Sequence, residues 1–145
     1  VAFVYPAAHQ LLSGSWFTST TLKTMLVDST YVADRDHVFV SSIGNSEISV
    51  SDYTRGFNSP GRKVLSGKTA WLDTTNNRYV YGATNSGRTT LASGAAPVAE
   101  VVIMEGTSDS DSRLIAYIDT ANPVSGTGGV YAGVWSGGTL FDVTF

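Results

Sequence analysis

No cysteine occurs in the chain, which excludes disulfides, thiolate metal sites and a cysteine nucleophile together and suits synthesis in a reducing cytosol. Charge is scarce as well. Asp, Glu, Lys and Arg make up 14% of the 145 residues, against roughly 25% in an average domain. The basic residues stand singly, apart from the neighbours Arg62 and Lys63. Displacing the counterions of a nucleic acid takes clustered cations, so with a net charge of -3 DNA and RNA are disfavoured as partners. Long apolar runs are also missing. Residues 1–5 are far short of the roughly 20 that span a membrane, and no basic segment precedes them, so they read as neither signal nor anchor. The start at Val1 reads as initiator removal or trimming.

What the chain does contain is apolar surface and turn chemistry. Hydrophobic residues reach 42% and aromatics 11%, enough for a core without metals or staples. The length fits one domain over residues 1–145. Helix signals are confined to residues 6–12, where Pro6 stands at a helix start and Gly14 at a stop, with Ser13 and Ser15 beside it. Residues 21–27 read as a strand ending at Asp28. Residues 38–40 and 48–50 are shorter candidates, the first of them a strand or a helical turn.

Further on, Ser66 and Gly67 separate two alternating segments, 63–65 and 69–72, which predicts either a hairpin or one bent strand with a bulge at Gly67. A polar turn at 74–77 predicts antiparallel pairing with the strand that starts at Arg78. Residues 82–97, small and polar, read as a long exposed loop. The near-continuous apolar runs 98–104 and 114–118, joined by a polar tip at 107–112, read as a hairpin buried on both faces. Residues 130–135 and 140–145, parted by Gly137 and Gly138, close the chain. Many short strands with almost no helix predict a mainly β antiparallel sandwich, jelly-roll-like or immunoglobulin-like, with one short N-terminal helix in an arm over residues 1–20.

The motifs that could carry chemistry each have a simpler reading. Gly82, Gly87, Arg88 and Thr89 echo a phosphate-binding loop, but Arg88 stands where lysine is required and no helix pattern follows. Asp34, Asp36 and His37 could bind a cation or act as a base, yet Arg35 among them points to a solvated, salt-bridging turn. His9 has no sequence partner. Asp109 and Asp111 begin like a calcium loop and lack the glycine and the distant glutamate that complete one. Gly126, Gly128 and Gly129 lack the helix of a dinucleotide fingerprint, and no serine stands in a nucleophile elbow. No catalytic, metal or cofactor residue is nominated. Trp16, Trp71 and Trp135 suit either a sugar-stacking platform or, more simply, core and interface.

The order of segments resembles a known family. It runs from the short helix through 22–28, 31–43, Tyr53, Thr54 and Arg55, 63–69, Asp73, 77–81, 101–104 and 112–119 to the closing 135–145. This series is similar to the capsid cement, or head-decoration, proteins of tailed bacteriophages, and it covers nearly the whole chain. Two departures touch loops only: the small-residue stretch 82–96, and Thr127 where members carry Asn before a Gly-Gly step. The resemblance implies a non-enzymatic virion structural protein, without cofactor, made in the host cytoplasm. It would dock on the outer face of the capsid, bridge copies of the major capsid protein and form a dimer or trimer. A glycan-binding or host-recognition sandwich is the alternative.

Large anchors concentrate near the termini, which nominates Phe3, Tyr5, Trp16, Phe17, Trp135 and Phe145 as protein-contact residues. Under this reading residues 1–5 need a partner surface, and deleting them leaves the free domain's stability unchanged. The other reading is that these residues plug the ends of the sandwich.

Overall fold

Two antiparallel sheets divide the chain in a computed structural model that describes residues 2–84, 97–119 and 139–144. The strands are β1 (Ala2–Val4), β2 (Lys23–Val27), β3 (Lys63–Val64), β4 (Thr69–Asp73), β5 (Arg78–Gly82), β6 (Ala99–Met104), β7 (Arg113–Asp119) and β8 (Thr139–Thr144). One sheet has the order β1-β7-β6-β2-β3 and the other β4-β5-β8. A single α-helix, α1 (Gly14–Ser19), lies against β4. The fold is mainly β, and side chains from both sheets share one apolar cluster.

The centre of that cluster is the β6–β7 pair. Val101, Val102, Ile103, Leu114, Ile115 and Ala116 are fully buried, as the unbroken apolar runs require. Between Val102 and Ile103 the pairing shifts so that Ile115 is the extra residue on β7. The bulge changes what β7 meets on its outer edge. On one side of it Val4 faces Ala116, and the Tyr5 N–H donates to the Ile115 carbonyl at 3.0 Å. On the other side the segment around Phe39 takes over, with Leu114 N–H donating to Val38 O and Val40 N–H to Ser112 O, each at 2.9 Å. β2 is closed in the same composite way. β3 pairs with Lys23 and Thr24, and Glu47 bridges Val27. Between them the Leu26 N–H donates to the Tyr53 hydroxyl at 3.1 Å. Neither long strand leaves a bare row of donors, which limits edge-to-edge pairing.

Three local expectations change. Pro6–Gln10 forms a 3-10 turn, and Gly14 opens a helix where it was expected to close one. Ser13 is extended and its hydroxyl accepts from the Trp16 N–H at 3.2 Å, the geometry of an N-cap. Glycine follows because a Cβ there would sit 2.5 Å from the Tyr79 hydroxyl. Segments 63–65 and 69–72 form neither a hairpin nor one strand, because β3 and β4 belong to different sheets. The chain crosses at Gly67, whose φ of +60° suits glycine and whose Cβ would clash with Thr84. The described ends of the expected exposed loop at 82–97 are not exposed loop: Gly82 ends β5, Ala83 is buried, and the Thr84 N–H donates to Ser66 O. Pro97 is buried too. Residues 85–96 lie outside the described part, as do 120–138 with their terminal-strand and glycine-turn readings.

The expected β4–β5 hairpin is present, with Asp73 facing Arg78 and Asn77 at φ +52° in the turn. Asp73 accepts from the Thr75 and Asn76 N–H groups and from Arg78, which shapes that turn.

Because Ile103 and Ile115 are fully buried, Ile103→Ala or Ile115→Ala should each cost about 2–5 kcal/mol through lost burial and a residual cavity. Urea denaturation of each variant measures this, and a negligible change at both sites would contradict a core centred on β6 and β7.

Candidate functional site

The residues nominated for contact fall on different sides of the surface. Tyr5 and Phe17 are fully buried in this chain, so they offer nothing to a partner. Tyr5 follows β1 into the core, and its hydroxyl shares a 2.9 Å hydrogen bond with that of Tyr31. Burial, with that bond added, pushes its ionisation far above the ordinary tyrosine range. Phe17 meets Tyr81 and Phe141 edge-on at 5.0 and 5.8 Å. Both residues close the sandwich, the other of the two readings. Phe3 and Trp16 are half-buried. Phe3 stacks on Tyr117, and its ring carries the Arg35 guanidinium at 4.4 Å. Trp135 and Phe145 lie outside the described residues.

The large exposed apolar side chains are others. Trp71 and Leu72 are 49% and 51% exposed on β4, the outermost strand of the smaller sheet. Val64, Phe57, Phe39 and Val32 are exposed on separate elements. The sequence held a signal for the first two. Neighbours on a strand point to opposite faces, so a strand with one face buried must expose one of an adjacent Trp-Leu pair. An edge position then exposes part of the other. The charges that commonly guard an edge are engaged elsewhere. Lys68 donates to the Thr20 carbonyl and Asp73 is held by Arg78 at 2.9 Å.

The loops carry the most concentrated polar chemistry, and it is not catalytic in form. Arg62 is buried, and all five of its guanidinium N–H groups are spent. Nε and Nη2 donate to Glu47 at 3.0 and 2.8 Å. Nη1 donates to Glu105 at 3.0 Å and to Asp109 at 2.7 Å, and Nη2 adds a 3.1 Å bond to Asp109. Lys23 reaches the other oxygen of Glu105 at 2.5 Å. Glu47 also accepts from the Tyr53 hydroxyl and the Gly56 N–H. Three carboxylates against two cations leave one net negative charge. Removing such groups from water is costly, and full hydrogen bonding is what makes the burial tolerable. Sequence reading missed the cluster because its members lie 15, 43 and 47 residues from Arg62.

The motifs singled out for ligands resolve into local structure. Asp109 faces Arg62, while Asp111 accepts from the Thr107 and Ser108 N–H groups at 2.8 Å each. The Thr107 hydroxyl, which also donates to Asp111, and these backbone bonds hold Asp111 below the ordinary carboxylate range. Asp34 accepts from the Asp36 N–H at 2.9 Å, and His37 lies 3.3 Å from the Tyr31 hydroxyl. His9 is exposed. Among the described residues no group of three or more His, Cys, Asp or Glu is placed to hold a metal ion. Where three carboxylates do converge, the cation between them is a guanidinium. No helix among the described residues is long and apolar enough to cross a membrane. No protein-family model, curated protein or solved structure matches the chain.

Two outcomes are expected. Deleting residues 1–5 should destabilise the free domain by about 3 kcal/mol or more, because it removes the buried Tyr5 and Val4; a thermal melt checks this, and an unchanged midpoint would restore the arm as a free contact segment. Stability should also fall on acidification. Burial pushes Glu105 up, but hydrogen bonds from Lys23, the Asn58 N–H and Arg62 outweigh it and hold the group below its usual range. Asp73, bonded to Asn76 and Arg78, is held at about 2. Groups depressed in the folded state add stability above their unfolded values, near 4, and lose it as the pH falls through the folded values. Urea midpoints should therefore decline from about pH 5 to pH 2, and Glu105→Gln should flatten part of that slope. A flat profile would be inconsistent with these carboxylates as stabilising groups.

Proposed function

We propose that this chain is a non-enzymatic structural protein that docks on the outer face of a phage capsid and stabilises it by bridging capsid subunits. The observation that carries the docking part is the β4 edge. Its backbone ends the sheet among the described residues, and it holds Trp71 and Leu72, one toward each face of the strand, in half-exposed positions. Tryptophan is over-represented among residues that dominate binding energy, and a free strand edge offers main-chain pairing as well. The ordered series of segments shared with capsid cement proteins supports the choice of partner. The low-charge composition supports contact with a protein, since charged residues are depleted at interface centres.

In this reading the major capsid protein is the partner and β4 the anchor, with the half-buried Trp16 of the adjacent α1 as a flanking contact and Phe3, on the other side of the smaller sheet, as a separate one. Self-association as a dimer or trimer would let one particle of cement reach more than one capsid subunit. A stable sandwich behind the edge suits such a role, because a rigid surface loses little entropy on docking.

The test is cosedimentation with shells of the major capsid protein. Trp71→Ser and Leu72→Ser should each weaken binding by about tenfold or more, the loss expected of contact hot spots, while the thermal midpoint of the free protein stays close to that of the parent chain. Normal binding by the double variant would remove β4 as the docking edge.

A further inference from the structure

The strap formed by residues 44–62 does more than cover the edge of β2. At its turn it holds one aromatic ring out in solvent: Phe57 is 40% exposed. The residues on either side have left-handed backbone, Gly56 at φ +108° and Asn58 at φ +54°. Asn58 is a non-glycine residue in that uncommon region, which persists only where the surroundings over-determine it. Here the surroundings are the charge cluster. The Gly56 N–H donates to Glu47 at 3.0 Å and the Asn58 N–H to Glu105 at 2.7 Å. Both carboxylates are clamped by Arg62. Phe57 therefore sits between two main-chain anchors, and its backbone is ordered before any ligand arrives. Preorganisation of this kind reduces the cost of binding.

Beside the ring lies a cleft of about 330 Å³ lined by Thr21, Lys23, Phe57, Asn58, Glu105 and Gly106. That volume is at the small end of ligand pockets, which run from about 300 to 1,000 Å³. The hydrogen-bond inventory of the lining shows what it would accept. Lys23 spends two of its three donors, on Glu105 at 2.5 Å and on the Asn58 side-chain oxygen at 3.3 Å. That bond uses the Asn58 amide oxygen, while the amide nitrogen makes no hydrogen bond among the described residues, and Thr21 stands on the same rim. The one cation and the one carboxylate neutralise each other, so a charged ligand would have to break their bond. Two main-chain N–H groups of the lining are already spent, Asn58 on Glu105 and Gly106 on the Ser112 hydroxyl at 3.0 Å.

We propose that this cleft is a subsite for one neutral sugar ring, with the apolar face of a pyranose on Phe57 and its hydroxyls bonded by Asn58, Lys23 and Thr21. The ligand class follows from the combination of a half-exposed aromatic ring, side-chain donors on the rim and a cation and carboxylate already paired with each other. The site is independent of the capsid-docking reading and uses none of the β4 residues. Asn58 reads the ring through its amide, and Lys23 does so through its remaining N–H while holding Asn58 in place.

The experiment is a titration of the full isotope-labelled chain with the methyl glycosides of glucose, galactose, mannose and N-acetylglucosamine, followed by amide NMR. At least one glycoside should produce saturable shifts confined to the amides around Lys23, Phe57, Asn58 and Gly106, with a Kd of about 1–10 mM, as befits a single small ring. Phe57→Ala should weaken that binding by about tenfold and leave the thermal midpoint unchanged. Asn58→Gly keeps the left-handed backbone while removing the amide, so it should weaken binding without unfolding the strap. The proposal fails if no glycoside gives saturable shifts up to about 100 mM, a range that would detect even very weak sites, or if Phe57→Ala binds sugar normally. It also fails if Phe57→Ala abolishes cosedimentation with capsid shells while no glycoside shifts the cleft, which would make Phe57 a protein anchor. Loss of shell binding in the β4 variants, by contrast, leaves the glycoside result untouched, so the two readings fail separately.

Discussion

The covering of the β2 edge of the larger sheet depends on one buried guanidinium. Arg62 gives each of its five N–H groups to a carboxylate, and the three carboxylates come from two places: Glu47 on the strap, Glu105 and Asp109 on the turn after β6. A lysine could not replace it, because a point charge with three donors cannot satisfy two bidentate partners in one plane. The position is also sterically determined. Gly61, the residue before, lies against the Thr54 carbonyl and the Tyr53 ring with no room for a Cβ, so the backbone at Arg62 passes close under its own strap. Such a cluster favours one arrangement of the strap, since removal of Arg62 would leave Glu47 buried without its ion-pair partner.

The cluster matters for the sheet because β2 has no single full-length neighbour on its outer side. Its donors and acceptors are met by β3, by the Tyr53 hydroxyl and by the segment at Glu47. Two of those three sit on the strap. Tyr53 also donates to Glu47, so the residue that completes the ladder is tied to the charge cluster by a 2.7 Å bond. Hydrophobic packing of Leu26, Ile48 and Tyr53 seals the contact. The opposite edge of the sheet solves the same problem without charge. There a bulge at Ile115 lets β7 exchange one partner, β1, for another around Phe39. A sheet built this way covers both of its outer strands, whereas β4 has no strand beyond it among the described residues, and that contrast is why β4 bears the docking proposal.

Aromatic residues pack the helix onto the smaller sheet and close one edge of the larger. Phe17 from α1 meets Tyr81 and Phe141 of the smaller sheet, and Phe3, Tyr117 and Tyr31 stack at the β1 edge of the larger one. The helix is short, and its position is set less by its own propensity than by these contacts and by the Tyr79 hydroxyl against Gly14. The same side chains that suggested a sticky terminus are thus largely consumed in joining layers. The large apolar side chains exposed among the described residues are Trp71 and Leu72 on β4, and Val32, Phe39, Phe57 and Val64 on other elements.

Local pattern by itself determined a good part of this. The apolar runs at 98–104 and 114–118, the polar turn before Arg78 and the strand at 21–27 were legible, because burial on two faces, turn chemistry and β-branched content act over a few neighbouring residues. The mainly β class followed from the same signals. Tertiary structure decided the rest. Gly14 reads equally as a stop or a start until Ser13 is seen capping Trp16 and Tyr79 is seen filling the space a Cβ would need. Gly67 marks a bend in either case, and only the pairing of β3 with β2 and of β4 with β5 shows that the chain changes sheets there. Tyr5 and Phe17 are apolar in any window, but which face of a short segment points inward depends on what lies across the core. The Arg62 cluster and the cleft at Phe57 had no local signature at all: their members are brought together by strand pairing across large separations in the chain, and a lone Arg or Glu in the sequence does not reveal which distant charge it will meet.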